Sequence, residues 1–225
     1  IKNLKKTVRS VDMQEIFPDL HLLIIHHIGY NHSKIFKKKN RRIIISKDKS
    51  LFHAMNIALK KTFDYNIIFL NSGDEFYDFK VVKFIKSNLR YSKCLIFKTC
   101  LVDKKSFYLP KKKFFENINY SPHPSFIRPP VQKKIYYQEN PPMLADGKWM
   151  LDHRKYIGTK KINILTSKFY LTGTSTYPSF RSIKLQFNYN FKEGFKESVK
   201  FILSKIFKKN YYKIIYKNKF LKNRI

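Results

Sequence analysis

A run of four turn-forming residues, Asn71, Ser72, Gly73 and Asp74, is the first place in the sequence where chemistry could occur. The run follows an apolar segment at residues 65–70, which predicts a buried strand. Ligands of open α/β sheets bind at the carboxyl ends of strands, and a carboxylate there can hold Mg²⁺ or Mn²⁺. Such an ion neutralises a diphosphate. An ordinary polar turn has the same composition, so these residues alone leave both interpretations open.

Alternating strand and helix patterns over the first hundred residues would position this turn. Helical spacing predicts helices at the start of the chain, after Ser50 and after Asp78, with Asp48 and Ser50 as candidate caps. The alternation favours an α/β fold with a mostly parallel sheet that is flanked by helices. Apolar runs predict its strands at residues 21–25, 43–45, 65–70 and 93–102.

The second half of the chain is less regular. Residues 103–142 are rich in proline and aromatic residues, which indicates loops around a site. Beyond them we expect a helix at residues 145–156 and two strands, at 161–166 and 168–171. From about residue 180 the chain is basic and aromatic, with helical spacing. We therefore predict one domain over residues 1–180 and a basic amphipathic helical tail over residues 181–225.

The composition points to an anionic partner without naming it. The 225 residues include 47 Lys and Arg against 15 Asp and Glu, which gives a formal charge of +32. A nucleic acid and an acidic membrane surface would both fit this balance. Cys94 and Cys100 fit no metal or disulfide framework and are interpreted as buried thiols in a reducing compartment. No apolar run is long enough to span a bilayer, so we expect a cytoplasmic protein, or one peripheral at the inner face of the membrane.

The segment from residue 46 to residue 78 resembles the family 2 glycosyltransferases of bacterial surface-polysaccharide pathways. Their colanic-acid-type branch has the pattern S-x-x-D-x-G-x-Y-D-A-M-N, then a helix, a strand and N-S-G-D-x-F. The resemblance implies a GT-A fold, a nucleotide-sugar donor and a metal ion held by Asp74. It implies donor-binding roles for Asp48, Asn56, Asn71, Ser72 and Gly73. The residues that match without gaps are Ser46, Asp48, Ala54, Met55, Asn56, Asn71, Ser72, Gly73, Asp74 and Phe76.

Three later segments extend the resemblance. His123 opens a segment similar to the family's H-Q-S-F-F-R, and Asp146 matches the acid of A-A-D-Y-D-L. The resemblance implies that Asp146 removes a proton from the acceptor hydroxyl in an inverting transfer. Gly173 and Ser175 match F-x-x-G-G-x-S, and with His123 they are candidates to contact donor or acceptor. A helix cap at Asp146, a hydrogen-bonded loop histidine and a plain hairpin are the structural alternatives.

Several positions depart from the family pattern. His26 stands where the family has the first acid that grips the nucleoside, and Asn31 stands at the second. Ser50 replaces a glycine and His53 an aspartate, while the family's first strand has no counterpart in this sequence. Two explanations remain: the nucleotide is held differently, with His26 at the donor, or the chain is a decayed or truncated relative.

The tail has its own pair of interpretations. Residues 197–222 interleave lysines with large apolar side chains, as a helix that lies in a membrane interface does. A helix packed on the domain with its lysines in water would look the same. The resemblance thus implies a metal-dependent transferase with a glycan or polyprenyl-linked acceptor in surface-polysaccharide or lipopolysaccharide synthesis. A nucleic-acid-binding protein is the remaining alternative, although no helix-turn-helix, zinc-finger or RNA-recognition signature appears.

Overall fold

The computed structural model describes residues 2–26, 36–103, 106–109, 123–139, 145–170 and 180–189, with positions 191, 195, 198, 199, 201, 202, 205 and 206. The helices of these ranges are α1 (Lys2–Asp12), α2 (Leu51–Thr62), α3 (Val81–Asn88), α4 (Ala145–Ile157) and α5 (Phe180–Tyr189). The strands are β1 (His21–His26), β2 (Arg41–Ser46), β3 (Ile67–Ile68), β4 (Glu75–Phe76), β5 (Cys94–Asp103), β6 (Ser106–Tyr108), β7 (Phe126–Arg128) and β8 (Thr159–Tyr170).

The strands form one parallel pair and one larger sheet with antiparallel neighbours. Strands β1 and β2 run parallel, with His21 opposite Arg41 and His26 opposite Ser46. A second sheet has the order β3-β7-β5-β8-β4, and β6 pairs with the end of β5. Strand β7 is antiparallel to both β3 and β5, and β4 is antiparallel to β8. The predicted α/β fold with flanking helices is confirmed, and its sheets are mixed rather than mostly parallel.

Three predicted strands differ in extent from the observed ones. A single strand, β8, replaces the two predicted at residues 161–166 and 168–171. Ser167 does not interrupt it, because its hydroxyl and that of Thr99 lie 2.9 Å apart in a hydrogen bond and both side chains are buried. Of the apolar segment 65–70, only Ile67 and Ile68 pair as a strand.

The chain divides into two units by its internal contacts. The first comprises residues 1–99 and 118–169, and the second comprises residues 100–117 and 170–225. In the first unit, α1 and α3 bury apolar side chains on β4, β5 and β7, and this packing supplies the hydrophobic stabilisation. That core consists of Val11, Phe76, Val81, Val82, Ile85, Leu95, Phe97 and Ile127.

The second unit contains the end of β5, strand β6 and helix α5. Leu101 pairs with Tyr108 and Asp103 with Ser106 in the antiparallel register of β5 and β6. Over the part of the chain that the structure describes, every helix is too short or too polar to cross a bilayer.

Candidate active site

A row of polar side chains on α1 holds the turn at residues 71–74. Thr7 and Ser10 lie three residues apart and Gln14 follows four residues later, so all three share one side of the chain at helical spacing. The Thr7 hydroxyl accepts a hydrogen bond from the Gly73 N–H at 2.8 Å and lies 3.2 Å from the Asn71 carbonyl oxygen, to which it can donate. Ser10 Oγ accepts from the N–H of Phe76 at 3.2 Å. Helix α1 therefore fixes both ends of this turn.

Gln14 continues the row and fixes the start of α3. Its amide nitrogen donates to the carbonyl oxygen of Asp78 at 2.7 Å, and its amide oxygen accepts from the N–H of Val82 at 3.0 Å. The first N–H groups of a helix lack partners within the helix, and Gln14 supplies one from outside. Asp78, the predicted cap, instead accepts from the N–H of Lys80, which occupies the cap position.

The carboxyl group of Asp74 lies nearly buried in this turn, with 5% of the residue exposed. Its own N–H donates to the Asn71 carbonyl oxygen at 2.9 Å, and Gly73 beside it has a φ of 113°, a conformation that favours glycine. The neighbouring Glu75 pairs with Lys6 at 2.6 Å. Asp74 is thus held in one place by its backbone, while the adjacent acid is paired with a lysine.

A metal ion at this turn would need ligands from a bound diphosphate. Mg²⁺ in proteins is held by one or two carboxylates, with phosphate and water oxygens completing its coordination. Asp74 fits that requirement as a single carboxylate ligand in the turn between β3 and β4. Over the described residues, His, Cys, Asp and Glu side chains do not gather in groups of three that could hold an ion without a substrate.

The carboxyl ends of β1 and β2 form a second polar edge. His26 and Ser46 are paired at the ends of the two strands, and Asp48 follows two residues later. The Oδ1 atom of Asp48 is buried and has no hydrogen-bond partner among the described residues, so it can accept a bond from a ligand. His26 is half-buried. This edge of a parallel pair is where ligands of α/β sheets bind.

Ser50 and His53, which depart from the family pattern, form a helix cap at the start of α2. The Ser50 hydroxyl accepts from the N–H of His53 at 3.1 Å, and the His53 Nδ1 atom accepts from the N–H of Lys49 at 3.1 Å. This reciprocal arrangement is similar to a capping box, in which two side chains satisfy two backbone donors. The substitutions at positions 50 and 53 therefore have a structural use in this chain.

Asn56 binds the backbone of a distant segment. Its amide nitrogen donates to the Tyr137 carbonyl oxygen at 3.0 Å and to Glu139 Oε1 at 3.2 Å. Its amide oxygen accepts from the Tyr137 N–H at 2.8 Å. The side chain is buried, and its amide donates two of these bonds and accepts one. In this structure Asn56 anchors the loop at Tyr137, and its predicted contact with the donor stays a prediction.

Anchoring by Asn56 places Tyr137 in a buried aromatic cluster. The Tyr137 ring stacks on Trp149 of α4 with centroids 4.5 Å apart, and Phe69, just after β3, meets Trp149 edge-on at 6.0 Å. The Trp149 ring nitrogen donates to the carbonyl oxygen of Ile135 at 3.1 Å. This cluster links the end of β3 to the helix that carries Asp146.

His123 and Asp146 are brought together beside that cluster. His123 is 6% exposed, and its ring contacts Tyr137 at 5.7 Å and Phe69 at 6.2 Å. Burial lowers the pKa of His123 to about 4, although the negative charge of nearby Asp146 acts in the opposite direction. His123 is therefore neutral at pH 7. Asp146 is the second residue of α4, and its Oδ1 atom accepts from the N–H of Gly147 at 2.8 Å.

Arg128, the last residue of the H-P-S-F-I-R segment, is structural. It is fully buried, and its guanidinium donates to the carbonyl oxygens of Phe63 and Thr62 at the end of α2, at 3.0 and 3.2 Å. Carbonyls at a helix end lack partners within the helix, and Arg128 supplies donors to both, alongside the Tyr65 N–H that reaches the Thr62 carbonyl at 3.1 Å. Burial lowers the pKa of Arg128 to about 10.

Apart from Asn56, which binds the backbone at Tyr137, the predicted site residues that the structure describes fall into three groups. Asn71 to Asp74 share one turn, His26 and Asp48 share the edge of β1 and β2, and His123 lies near Asp146. Gly173 and Ser175 lie outside the described residues. Sequence reasoning missed Thr7 and Tyr137, although the spacing of Thr7 from Ser10 was a usable signal.

Neither a protein-family model nor a curated protein matches the sequence. Solved structures do match it. The S. aureus TarS 1-349 structure, solved in complex with UDP, matches with a TM-score of 0.57 and 16% identity. The match includes 82% of this chain and 60% of the TarS chain. A second S. aureus TarS structure has a TM-score of 0.54 and 14% identity, with 90% of this chain covering 41% of that one. The chain therefore spans less than two thirds of either structure. The likeness shows the fold, which is that of TarS, a GT-A-like glycosyltransferase.

Proposed function

We propose that this chain is a glycosyltransferase that moves a sugar from a nucleotide-sugar donor to a glycan or lipid-linked glycan acceptor. The observation that carries the proposal is the nearly buried carboxylate of Asp74, in a turn that follows strand β3 and is held by Thr7. A carboxylate fixed in a turn between two strands suits a diphosphate bound through a metal ion. The fold likeness to TarS, which was solved with UDP, supports a nucleotide as the donor's leaving group.

The donor would use both polar edges of the first unit. Asp48 offers an unsatisfied carboxylate oxygen, and the imidazole of His26 lies at the same edge, which suits a nucleoside. Asn71, Ser72 and Gly73 would contact the diphosphate, and Asp74 would hold Mg²⁺ or Mn²⁺. The ion supplies charge neutralisation for the departing diphosphate when it is bound.

Asp146 would serve the acceptor. Its carboxylate takes the proton of the acceptor hydroxyl as that oxygen bonds to the anomeric carbon. The bond to the diphosphate breaks on the opposite face of the sugar, which inverts the anomeric centre. Burial keeps His123 neutral, so a positive charge on this imidazole does not oppose proton uptake by the Asp146 carboxylate.

The biological setting is part of the same proposal. The resemblance to the colanic-acid-type family favours surface-polysaccharide or lipopolysaccharide synthesis. Such a transferase would act in the cytoplasm on a glycan or on a polyprenyl-linked glycan.

Donor turnover in the absence of an identified acceptor tests this proposal. Glycosyltransferases hydrolyse their donors slowly, since water can take the place of the acceptor, and release of nucleoside diphosphate reports the step. We expect Asp146→Asn to slow the hydrolysis of the best UDP-, GDP- or dTDP-sugar by about 10²–10⁴-fold. Asp152→Asn, six residues further along the same helix, is the matched control and should retain near wild-type turnover. Equal losses in the two variants would exclude Asp146 as the base.

A further inference from the structure

Large apolar side chains are exposed along the helical residues of the second unit. Phe180 and Phe191 are 77% and 76% exposed, and Phe195 and Ile206 are 60% and 65% exposed. Scattered apolar residues are common on protein surfaces, but a continuous group of this size marks a contact with another molecule. The apolar surface, as we name it, consists of Phe180, Phe187, Phe191, Phe195, Val199, Ile202 and Ile206.

The spacing of these residues is helical, and ring contacts bring some of them together. From Phe187 to Ile206 the members recur at intervals of three or four residues, and each described member is helical. The Phe187 and Phe191 rings lie 5.5 Å apart. Phe180 and Phe201 are also in ring contact at 4.6 Å, although one straight helix would separate them by about 30 Å. The helical residue at 201 therefore lies beside the start of α5, and the exposed rings belong to a broad surface rather than one narrow stripe.

Positive charge accompanies this surface. Residues 180–225 contain thirteen Lys and Arg and two Glu. Lys184 of α5 and Lys205 are exposed among the apolar members, and Lys205 Nζ lies 5.3 Å from the Phe201 ring centroid. Lysine stems extend along apolar groups while the ammonium stays in water, which is how basic helices sit at a lipid interface.

We infer that the apolar surface docks on a bilayer that contains anionic lipids. The phenylalanine and aliphatic side chains would enter the boundary between headgroups and acyl chains, and the lysines would bind lipid phosphates. Charge distinguishes this occupant from a second copy of the chain, because two such segments would bring like charges together. The apolar side chains distinguish a bilayer from a nucleic acid, because a nucleic acid offers no apolar layer for Ile202 and Ile206. This inference does not depend on the proposed transferase activity.

Vesicle co-sedimentation of the full chain tests the inference. We expect binding to vesicles of phosphatidylcholine with about a third phosphatidylglycerol, weakening as salt rises, and little binding to phosphatidylcholine alone. Replacing both Phe191 and Phe195 by serine should weaken partition by on the order of 100-fold, at roughly tenfold per ring. Phe79→Ser, which removes a half-exposed ring from the first unit, is the matched control and should bind like wild type.

A charge series separates lipid phosphate from apolar contact. Lys184→Glu with Lys205→Glu should reduce binding to the anionic vesicles, while Lys60→Glu with Lys61→Glu, at exposed positions of α2, should have little effect. Circular dichroism would confirm that each variant is folded. Equal binding to vesicles with and without phosphatidylglycerol would overturn the inference. Serine variants that bind the anionic vesicles like wild type would also overturn it. The inference would likewise fail if the serine variants lost self-association but kept their vesicle binding.

Discussion

The Thr7→Val substitution tests whether α1 holds the turn that carries Asp74. Valine keeps the branched shape of threonine and removes the hydroxyl that accepts from the Gly73 N–H at 2.8 Å. Thr7 is 4% exposed, so water has little access to replace the lost partner. A buried donor left without a partner costs about 1–3 kcal/mol. We expect a loss near 2 kcal/mol, equivalent to roughly 4–8 °C in melting temperature for a chain of this size.

A matched variant isolates the contribution of the turn. Thr62→Val removes a similarly buried hydroxyl that donates to the Ala58 carbonyl oxygen of its own helix at 2.8 Å. That carbonyl can keep its helical hydrogen bond, so no backbone group loses its partner and we expect a loss below about 1 kcal/mol. Urea unfolding of both variants would measure the difference. Equal losses, or a larger one for Thr62→Val, would refute the assignment of Thr7 as the anchor of the turn.

Three further predictions follow from buried groups. Asn56→Ala should reduce the free energy of unfolding by about 2–4 kcal/mol, because it leaves the N–H and carbonyl of Tyr137 without partners; a loss below 1 kcal/mol in urea unfolding would contradict the anchor. Gly73→Ala should cost about 1–3 kcal/mol, since its φ of 113° strains any side chain, and a neutral result in thermal unfolding would refute that strain. Stability should fall as the pH drops from about 6.5 towards 4, because burial lowers the pKa of both His123 and His153 to about 4 and the unfolded chain then binds more protons. A flat profile in urea unfolding over that range would be inconsistent with two buried neutral imidazoles.

Helix caps and strands that depend on neighbouring residues could be predicted from local sequence patterns. Ser50 was expected to cap α2, and its hydroxyl does accept from the N–H of His53. The strand that begins at His21 follows directly from an apolar run. These features depend on neighbours within a few residues, so their physical cause is visible in the sequence.

Long-range pairings could not be predicted in this way. Strand β7 inserts antiparallel between β3 and β5, with Ile67 opposite Arg128, and nothing near either residue specifies that partner. A fully buried arginine was not expected either, since its stability depends on carbonyls at the end of α2, some 65 residues away. The mixed sheet is a consequence of such pairings rather than of local propensity.

The candidate site shows the same division. The turn at Asp74 was predicted from its composition and its position after an apolar segment. The anchors of that turn lie 64–66 residues earlier in α1, and Asn56 binds Tyr137 81 residues away. Residue types at Thr7 and Asn56 are compatible with many partners, so only the folded chain identifies the ones they use.

Calorimetry of sugar-nucleotide binding tests the central claim most directly. UDP-, GDP- and dTDP-sugars would be titrated with Mn²⁺ and with a chelator into the wild type, Asp74→Asn and the control Asp78→Asn. Asparagine at position 78 retains an oxygen that can accept from the N–H of Lys80, so this control keeps the local fold. We predict Mn²⁺-dependent binding of one nucleotide class that is lost in Asp74→Asn and kept in Asp78→Asn. Absence of binding by the folded wild type, or binding that Asp74→Asn leaves unchanged, would contradict a nucleotide-sugar site at this turn.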